Sequence, residues 1–549
     1  MSKGDTLELR CAIPATDRDP PARKITITES VRLLLFLPSS LSASNATVIM
    51  AVLVILGIGL VAYLVCRSIY RLYFHPLSHI PGPKLAAITH GYEFYHNIIR
   101  GGLFIWELER LHEVYGPIIR INPREVHIKD SDYYDEIYAS SARRREKDPV
   151  LVAQFDLEGS GFAAIDQETH HQRRAPVAKF FSKRAIENQE HLIRDSLSKL
   201  VGHFQEACRA HTVISLDAAF AALTSDVIHQ YAYGFNPNNL DKEGFNARVR
   251  DGINGLFQLA HLLYFFPILQ KLMNVMPLPL LQLLNPPAFA IASQKKELYD
   301  RAAAALDKAD SKTQSGTLID MLAAPSMPQH LRSAHRLMNE GFALVIGGTE
   351  TTARTLGLGA WHLFSREDIR NKLREELKQV MPTPESQPTW NDLEKLPYMS
   401  GVINESLRLS TGIANRSARV APTEALVYKG YTIPPGTPVS ESNYFTLMDP
   451  EIFPDPHAFD PERWIRAAAK GQRLDRYLVN FSKGSRMCVG LNLAYAELFL
   501  VIATVVRRFD IELYETPKSN IDFARDFGTP YPDKGNFSVR GLVTGVVSE

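Results

Sequence analysis

The chain has 549 residues, 45% of them hydrophobic and 22% charged, a composition that supports a large buried core and excludes a low-complexity or disordered architecture. Its 61 Lys and Arg against 60 Asp and Glu leave no general field for a polyanion, so no nucleic-acid partner is expected. Four cysteines, Cys11, Cys66, Cys208 and Cys488, with no C-x-x-C pair, exclude a disulfide-stapled secreted domain.

Residues 1–46 mix charges with Pro20, Pro21 and an apolar run, Val31 to Leu37, that is too short to span a bilayer; they form an extension without an assigned role. From Thr47 to Cys66 no charge interrupts about 20 residues, the length a helix needs to cross a membrane, so 47–66 is expected to be a single transmembrane anchor. Its length argues against a core helix, and the extension before it argues against a cleaved signal peptide. Arg67 and Arg71 follow directly and place the downstream domain in the cytosol, although Arg23, Lys24 and Arg32 weaken that asymmetry. Residues 67–83 carry Pro76 and Ile80-Pro81-Gly82-Pro83, a stiff connector between membrane and globule. Residues 84–549 contain no Gly/Ser-rich linker and are read as one domain.

Helical spacing dominates that domain. Ile369, Leu373, Leu377 and Val380 recur on one face, and Asn391 with Glu394 has the form of a capping box. Val427 to Val439, punctuated by Gly430, Pro434, Pro435 and Gly436, is expected to be a small hairpin. The predicted fold class is therefore mainly α with small β-sheets. Leu256 to Leu284, rich in Leu and Phe and broken by Pro267, Pro277 and Pro279, is either a plain core helix or an apolar roof that dips into lipid.

Three segments carry chemistry. Gly347-Gly348-Thr349-Glu350-Thr351-Thr352 lies in an apolar helical stretch. Two interior glycines cost about 1 kcal/mol each, so they mark either an opened groove in a helix or a turn before a Thr-capped one. Glu405-Ser406-Leu407-Arg408 is an i,i+3 pair, worth only about 0.2–0.5 kcal/mol on an exposed face; Phe459-Asp460-Pro461-Glu462-Arg463-Trp464 follows it. Phe481-Ser482-Lys483-Gly484-Ser485-Arg486-Met487-Cys488-Val489-Gly490 fits F-x-x-G-x-R-x-C-x-G at every fixed position. A lone cysteine is ordinarily an inert buried side chain, but here directed backbone N–H groups and a helix expected after Gly490 favour a thiolate. Gly484 and Gly490 can adopt conformations closed to other residues, Arg486 offers a planar fork for a carboxylate, and Phe481 would pack near the sulfur.

With these motifs in this order, from about Pro76 to the C-terminus, the chain resembles the cytochrome P450 family of haem-thiolate monooxygenases. The resemblance implies the cytochrome P450 fold preceded by one transmembrane helix, and haem b (iron protoporphyrin IX) with Cys488 as axial ligand to the iron. Phe481, Gly484, Arg486 and Gly490 would shape the ligand loop, and Arg419, Arg174 and His170 would stand at the positions that bind the haem propionates. His170 departs from the Trp of many relatives. Glu350 and Thr351 match the acid–alcohol pair that brings protons to dioxygen, and Glu405, Arg408 and Arg463 match a structural network.

The activity so implied is insertion of one atom of O2 into an apolar small molecule, the other leaving as water. No G-x-G-x-x-G motif or fused flavin domain is found, so electrons would come from a separate NADPH-cytochrome P450 reductase, with cytochrome b5 as an accessory donor. Docking is expected on the cysteine side, beside Lys483, Arg486 and Arg174. The FHPLSHIPGPKLAA and HHQRRAPVAKFFSKRAI segments are similar to filamentous-fungal members acting on terpenoids and other secondary metabolites. The expected location is the endoplasmic reticulum membrane, single-pass, with the catalytic domain facing the cytosol. Two alternatives stand beside this reading: a haem-thiolate isomerase or dehydratase, whose members typically lack the acid–alcohol pair, and a non-catalytic membrane haem-binding protein.

Overall fold

The computed structural model describes residues 43–309, 316–535 and 537–548; Cys11, the Val31 to Leu37 run and the remainder of 1–42 lie outside the described residues. The chain divides into two units, one ending at Tyr70 and one beginning at Arg71. In the first, a single helix, Ala43–Ile69, extends past the expected 47–66 span at both ends. Leu64 and Ser68 continue it without a break, the Ser68 hydroxyl donating to the Leu64 carbonyl at 2.7 Å. Ile55 is 67% exposed and Ile58 66%. A helix apolar all round and unburied along its hydrophobic window fits a single transmembrane anchor.

The second unit is built around the helix Ala334–Ser365, whose Ser333 hydroxyl accepts the Arg336 N–H at 3.3 Å. Leu337, Phe342, Val345, Leu356 and Leu363 bury successive faces of it. A helix so apolar all round belongs at a core, and it packs against the helices Leu216–Tyr233, Pro286–Lys308, Pro397–Ser410 and Leu491–Arg508. To one side lies a five-stranded sheet in the order Ile118–Arg120, Val126–Ile128, Pro438–Ser440, Arg419–Val420, Glu146–Lys147. Only the Val126–Ile128 and Pro438–Ser440 pair is parallel. The connector packs on this sheet through Leu77 and Ile80, and Pro81 accepts the Arg120 N–H at 2.7 Å.

Three local expectations change. The hairpin consists of Leu426–Tyr428 and Tyr431–Ile433, and ends before Val439 because Pro434 and Pro435 bring no donors to extend the ladder. The capping box belongs to Thr389 and Asp392, not Asn391 and Glu394: the Thr389 hydroxyl accepts the Asp392 N–H, and the Asp392 carboxylate accepts the Thr389 N–H, each at 3.2 Å. Ile369, Leu373 and Leu377 are buried on one face of Glu367–Leu377, and Val380 falls beyond that helix. The Leu256 to Leu284 stretch is neither one helix nor all core. Ala247–Phe265 buries Leu263, whereas Pro267–Val275 and Leu278–Leu284 leave Val275 78% and Leu283 79% exposed. Proline lies in the first turn of each of the latter two, where its missing N–H costs nothing.

Candidate active site around Cys488

The loop carrying Cys488 is tied down at several points. The Cys488 N–H donates to the Phe481 carbonyl at 2.8 Å, and Ser485 N–H to the Ala139 carbonyl at 3.1 Å. Gly484 sits at φ +70°, where an added Cβ would lie 2.1 Å from the Ala139 oxygen and 2.3 Å from that of Tyr138. Both the left-handed backbone and the close approach require glycine there. Gly490 differs from expectation: its φ of −84° suits any residue. What it provides is a bare approach, since a Cβ would stand 3.9 Å from Cys488 Sγ, and the N-cap of Leu491–Arg508. Phe481 contributes its carbonyl to Cys488 and sets its ring 5.5 Å from that of Tyr495. Cys488 is accessible, yet its dense surroundings push the thiol pKa up, against the Gly490 N–H and Arg174, which both favour the thiolate. Metal coordination would complete the deprotonation.

Basic side chains from four parts of the chain converge on this loop. Asp166 caps the helix Gln167–Phe180 by accepting the Thr169 N–H at 2.8 Å, which sets His170 and Arg174 one turn apart on one face. The strand Glu146–Lys147 pairs with Arg419–Val420 in a register that puts Lys147 opposite Arg419. Arg419 donates to Ser417 Oγ at 2.8 Å and lies 5.0 Å over the Tyr138 ring. Arg486 donates to the carbonyls of Ala164, of Ile165 at 2.6 Å and of Asp166 at 3.0 Å, which binds the cysteine loop to the approach of the capped helix.

These groups repel one another. Burial, then Arg419, Arg486 and Arg174, pulls the pKa of the half-buried Lys147 well below its usual value. Burial, then Arg486, Arg174, Lys147 and Arg419, brings His170 to about 3, so its imidazole is neutral. Arg486 is lowered to about 10, first by burial. Lys147, Arg174, Arg419 and Arg486 enter none of the ion pairs among the described residues, and Arg486 Nε is buried without a partner. Like charges facing each other across a strand pair destabilise a fold, and unpaired buried cations more so. A ligand bearing two carboxylates relieves all of these contacts, and haem, with an iron for Cys488 and two propionates for the cations, fits the residues present. Held by a thiolate, haem supplies oxygen activation.

The second expected segment is helical throughout, inside Ala334–Ser365, so its glycines make no turn. Gly347 faces open space and Gly348 a close contact, its added Cβ meeting Ile228 at 3.0 Å; one glycine opens the helix and the other packs it. Ala343, Leu344, Gly347 and Thr351, spaced at helical repeats, remain accessible in the middle of the helix, with Ile346 and Gly348 partly accessible beside them. The Thr351 hydroxyl donates to the Gly347 carbonyl at 2.7 Å. Glu350 is buried and faces other groups, Arg354, Arg250, Asp217, Asp251 and Tyr531. Burial raises its carboxyl to about 7 against the pull of Arg354 and Arg250.

The third segment closes into one buried network. Arg408 Nε donates to Glu405 Oε2 at 3.0 Å, Arg463 Nε lies 2.6 Å from Glu405 Oε1, and Trp464 Nε1 donates to that oxygen at 3.1 Å. The remaining guanidinium donors reach the carbonyls of Leu447, Pro456, Ala458 and Pro454, pinning the segment that leads to the cysteine loop.

Lys147, Arg250 and Arg354 escaped sequence reasoning, as did the part Trp464 plays in the Glu405 network. Only the helical i,i+4 spacing of Glu350 and Arg354 was there to be read; the other contacts are non-local.

The family model described as Cytochrome P450 matches residues 90–534. Cytochrome P450 monooxygenase aflU of Aspergillus parasiticus is 45% identical over 491 residues, 89% of this chain and 98% of that protein. Cytochrome P450 monooxygenase TRI4 of Trichoderma arundinaceum is 44% identical over 473 residues, 86% of this chain and 92% of its own. Conidiogenone synthase PchP450 of Penicillium rubens is 45% identical over 494 residues, covering 90% of this chain and 99% of that one. Match length, identity and the Cys488 loop agree, and the chain belongs to the cytochrome P450 family, as one of its haem-dependent monooxygenases.

Proposed function

We propose that this monooxygenase inserts one oxygen atom from O2 into an apolar small molecule, a terpenoid or other fungal secondary metabolite, on haem b ligated by Cys488. The observation that carries the substrate class is the accessible face of the central helix: Ala343, Leu344 and Gly347 present apolar surface, and Thr351 adds the only hydroxyl of that stripe. Such a surface binds a hydrocarbon skeleton and holds one polar group at the reacting end. Arg174, Arg419, Arg486 and neutral His170 take the propionates, with Lys147 beside them. Thr351 offers its hydroxyl to dioxygen, and Glu350 holds the proton to be delivered. The terpenoid class rests on likeness of the connector and the HHQRRAPVAKFFSKRAI segment to fungal members.

Electrons reach the site from NADPH-cytochrome P450 reductase, with cytochrome b5 as accessory donor, at a surface that includes Lys483. Residues 47–66 form the core of the anchor, 67–83 the connector and 84–549 the catalytic domain, which faces the cytosol from the endoplasmic reticulum membrane. The exposed Val275, Leu283 and Leu284 support contact of the roof helices with the same lipid.

The test is spectroscopic first. The reduced carbon-monoxide complex should show the red-shifted Soret band of thiolate ligation, lost in Cys488→His. With reductase, NADPH and a terpenoid panel, product should carry one atom from labelled O2. A histidine-type spectrum for the native chain would refute the ligand assignment, and label absent from every product would refute the reaction.

A further inference from the structure

Tyr134, Tyr138 and Tyr428 are buried in the apolar cluster that also holds Leu77 and Ile80, and Tyr133 packs against it. Tyr134 opens the helix Tyr134–Ile137 and Tyr138 caps it one turn later; their ring centroids lie 4.3 Å apart with planes tilted by 31°. Tyr138 touches the cysteine site at two points. The Arg419 guanidinium stands 5.0 Å over its ring, and its carbonyl oxygen is one of the two that close on Gly484. Lys483 of the cysteine loop stands 5.8 Å from the Tyr134 ring centre. One peptide bond leads from Tyr134 to Tyr133, whose ring meets that of Tyr428 edge-on at 4.9 Å and 68°. The four phenols thus run from the cation cluster to the hairpin strand Leu426–Tyr428.

Their hydrogen-bond acceptors differ along this line. The Tyr138 hydroxyl donates to the Glu441 carbonyl at 2.8 Å, that of Tyr134 to Asn443 Oδ1 at 2.7 Å and that of Tyr133 to the Val427 carbonyl at 3.1 Å. All three acceptors are amide oxygens, too weakly basic to keep a phenol proton. The Tyr428 hydroxyl instead donates to a carboxylate, Asp130 Oδ2, at 2.8 Å. A phenol gives up an electron readily only when a base within hydrogen-bond reach takes its proton. The cations over Tyr138 and Tyr134 disfavour a positive charge left on either ring, whereas Lys429, 5.2 Å from the Tyr428 ring centre, is paired with Asp130 at 2.8 Å. Oxidation therefore passes through Tyr138 and Tyr134 and settles on Tyr428. Solvent is reached at that end, where the Asp130 side chain is 20% exposed and the Tyr133 hydroxyl bond lies at the surface.

We propose that Tyr138, Tyr134, Tyr133 and Tyr428 form a relay that carries oxidising equivalents from the haem site to the surface when no substrate takes up the oxygen atom. The inference rests on the reading of Cys488 and the cation cluster as the haem site. In each passage one electron moves inward from Tyr428 by way of Tyr133, Tyr134 and Tyr138, and the Tyr428 proton moves to Asp130, leaving a neutral phenoxyl radical. A soluble thiol, reaching the pair at the Tyr133 hydroxyl, returns one hydrogen atom, and Asp130 gives its proton to solvent. Two passages consume two thiols, which join as a disulfide. They deliver two electrons that, with two protons from solvent, turn the unused oxygen atom into water.

The full-length holoenzyme provides the test. It is mixed with peracetic acid in the absence of substrate, frozen, and followed by electron paramagnetic resonance, with ring-deuterated tyrosine to identify the radical and glutathione as the thiol. The native protein should give a tyrosyl signal that glutathione quenches. Tyr428→Phe and Asp130→Asn should lower its yield several-fold, and Tyr138→Phe should bring it to background. In all three the haem absorbance should bleach several-fold faster under peracid, while the reduced carbon-monoxide band stays native. Asp130→Asn keeps every ring in place, so the test stays open if a Phe variant folds poorly. A native protein with the red-shifted carbon-monoxide band and no tyrosyl signal overturns the relay alone, as do equal yields and bleaching in native and variant proteins. A yield that falls only in Tyr138→Phe overturns the route to Tyr428. A histidine-type band in the native protein overturns the haem-site reading and the relay with it.

Discussion

Replacing Lys147 by Met separates two opposite accounts of the cation cluster. Lys147 faces Arg419 across a strand pair, senses Arg486 and Arg174, and also donates to the Phe162 carbonyl. If its charge has no ligand to meet, its removal relieves repulsion. Two charges about 7 Å apart at an effective dielectric of about 20 repel by about 2 kcal/mol, and solvent at the half-buried ammonium reduces that to about 1. Lys147→Met would then leave haem retention unchanged or improve it. If Lys147 instead completes the propionate site, a hydrogen bond to a charged group worth about 1.5–3 kcal/mol is lost. Haem would leave about 10- to 100-fold faster, and Lys147→Arg would stay within a few-fold of native. The assay is transfer of haem to an excess of a haem-free globin, followed by absorbance. Native transfer rates in Lys147→Met would refute the assignment of Lys147 to the site.

Gly484→Ala should abolish haem incorporation, read as Soret absorbance per protein, because the left-handed backbone costs about 1–2 kcal/mol and the new methyl meets two carbonyl oxygens of fixed backbone. Glu405→Gln leaves Arg408 and Arg463 buried without their countercharge and should destabilise the fold by about 3–5 kcal/mol in denaturant unfolding. Glu350→Gln should show a signed pH dependence. The native carboxyl stays protonated to about 7 while the unfolded chain releases its proton near 4.5, so native stability falls relative to the variant as pH rises between those values, by about 3 kcal/mol in all. Parallel stability curves for the two proteins across that window would contradict it.

The cysteine loop was legible as a backbone feature because the expected ligand, fork and turn glycine fall within ten positions, and the glycine requirement at Gly484 is a backbone property that spacing reveals. Gly490 shows the limit of that reasoning, since the same residue type serves there through absence of a side chain and not through its conformation. The Glu405 network was half legible. Glu405 and Arg408 share a helix turn, but Trp464 joins through a fold-back that no local pattern encodes. Lys147 could not be read at all, because its meaning lies in a two-residue strand paired with a segment far along the chain. The capping box was misassigned by two residues, since Thr389 and Asp392 meet the spacing with the better N-cap side chain. The roof was ambiguous because apolar composition is shared by core and lipid-facing helices; exposure of Val275 and Leu283 separates them.

Glu350 and Thr351 are adjacent in sequence and so point about 100° apart on their helix. That angle puts the hydroxyl on the accessible stripe with Ala343 and Gly347, and the carboxyl among buried charges contributed by other elements. The helix wall thus separates the surface proposed to meet substrate from the carboxyl proposed to hold the proton. The side-chain-free Gly347 faces open space and leaves room beside the Thr351 hydroxyl on the accessible side. Ala343 and Leu344 can therefore change with the shape of the substrate without disturbing the charges on Glu350, whereas a side chain at Gly347 would fill the open space beside the Thr351 hydroxyl.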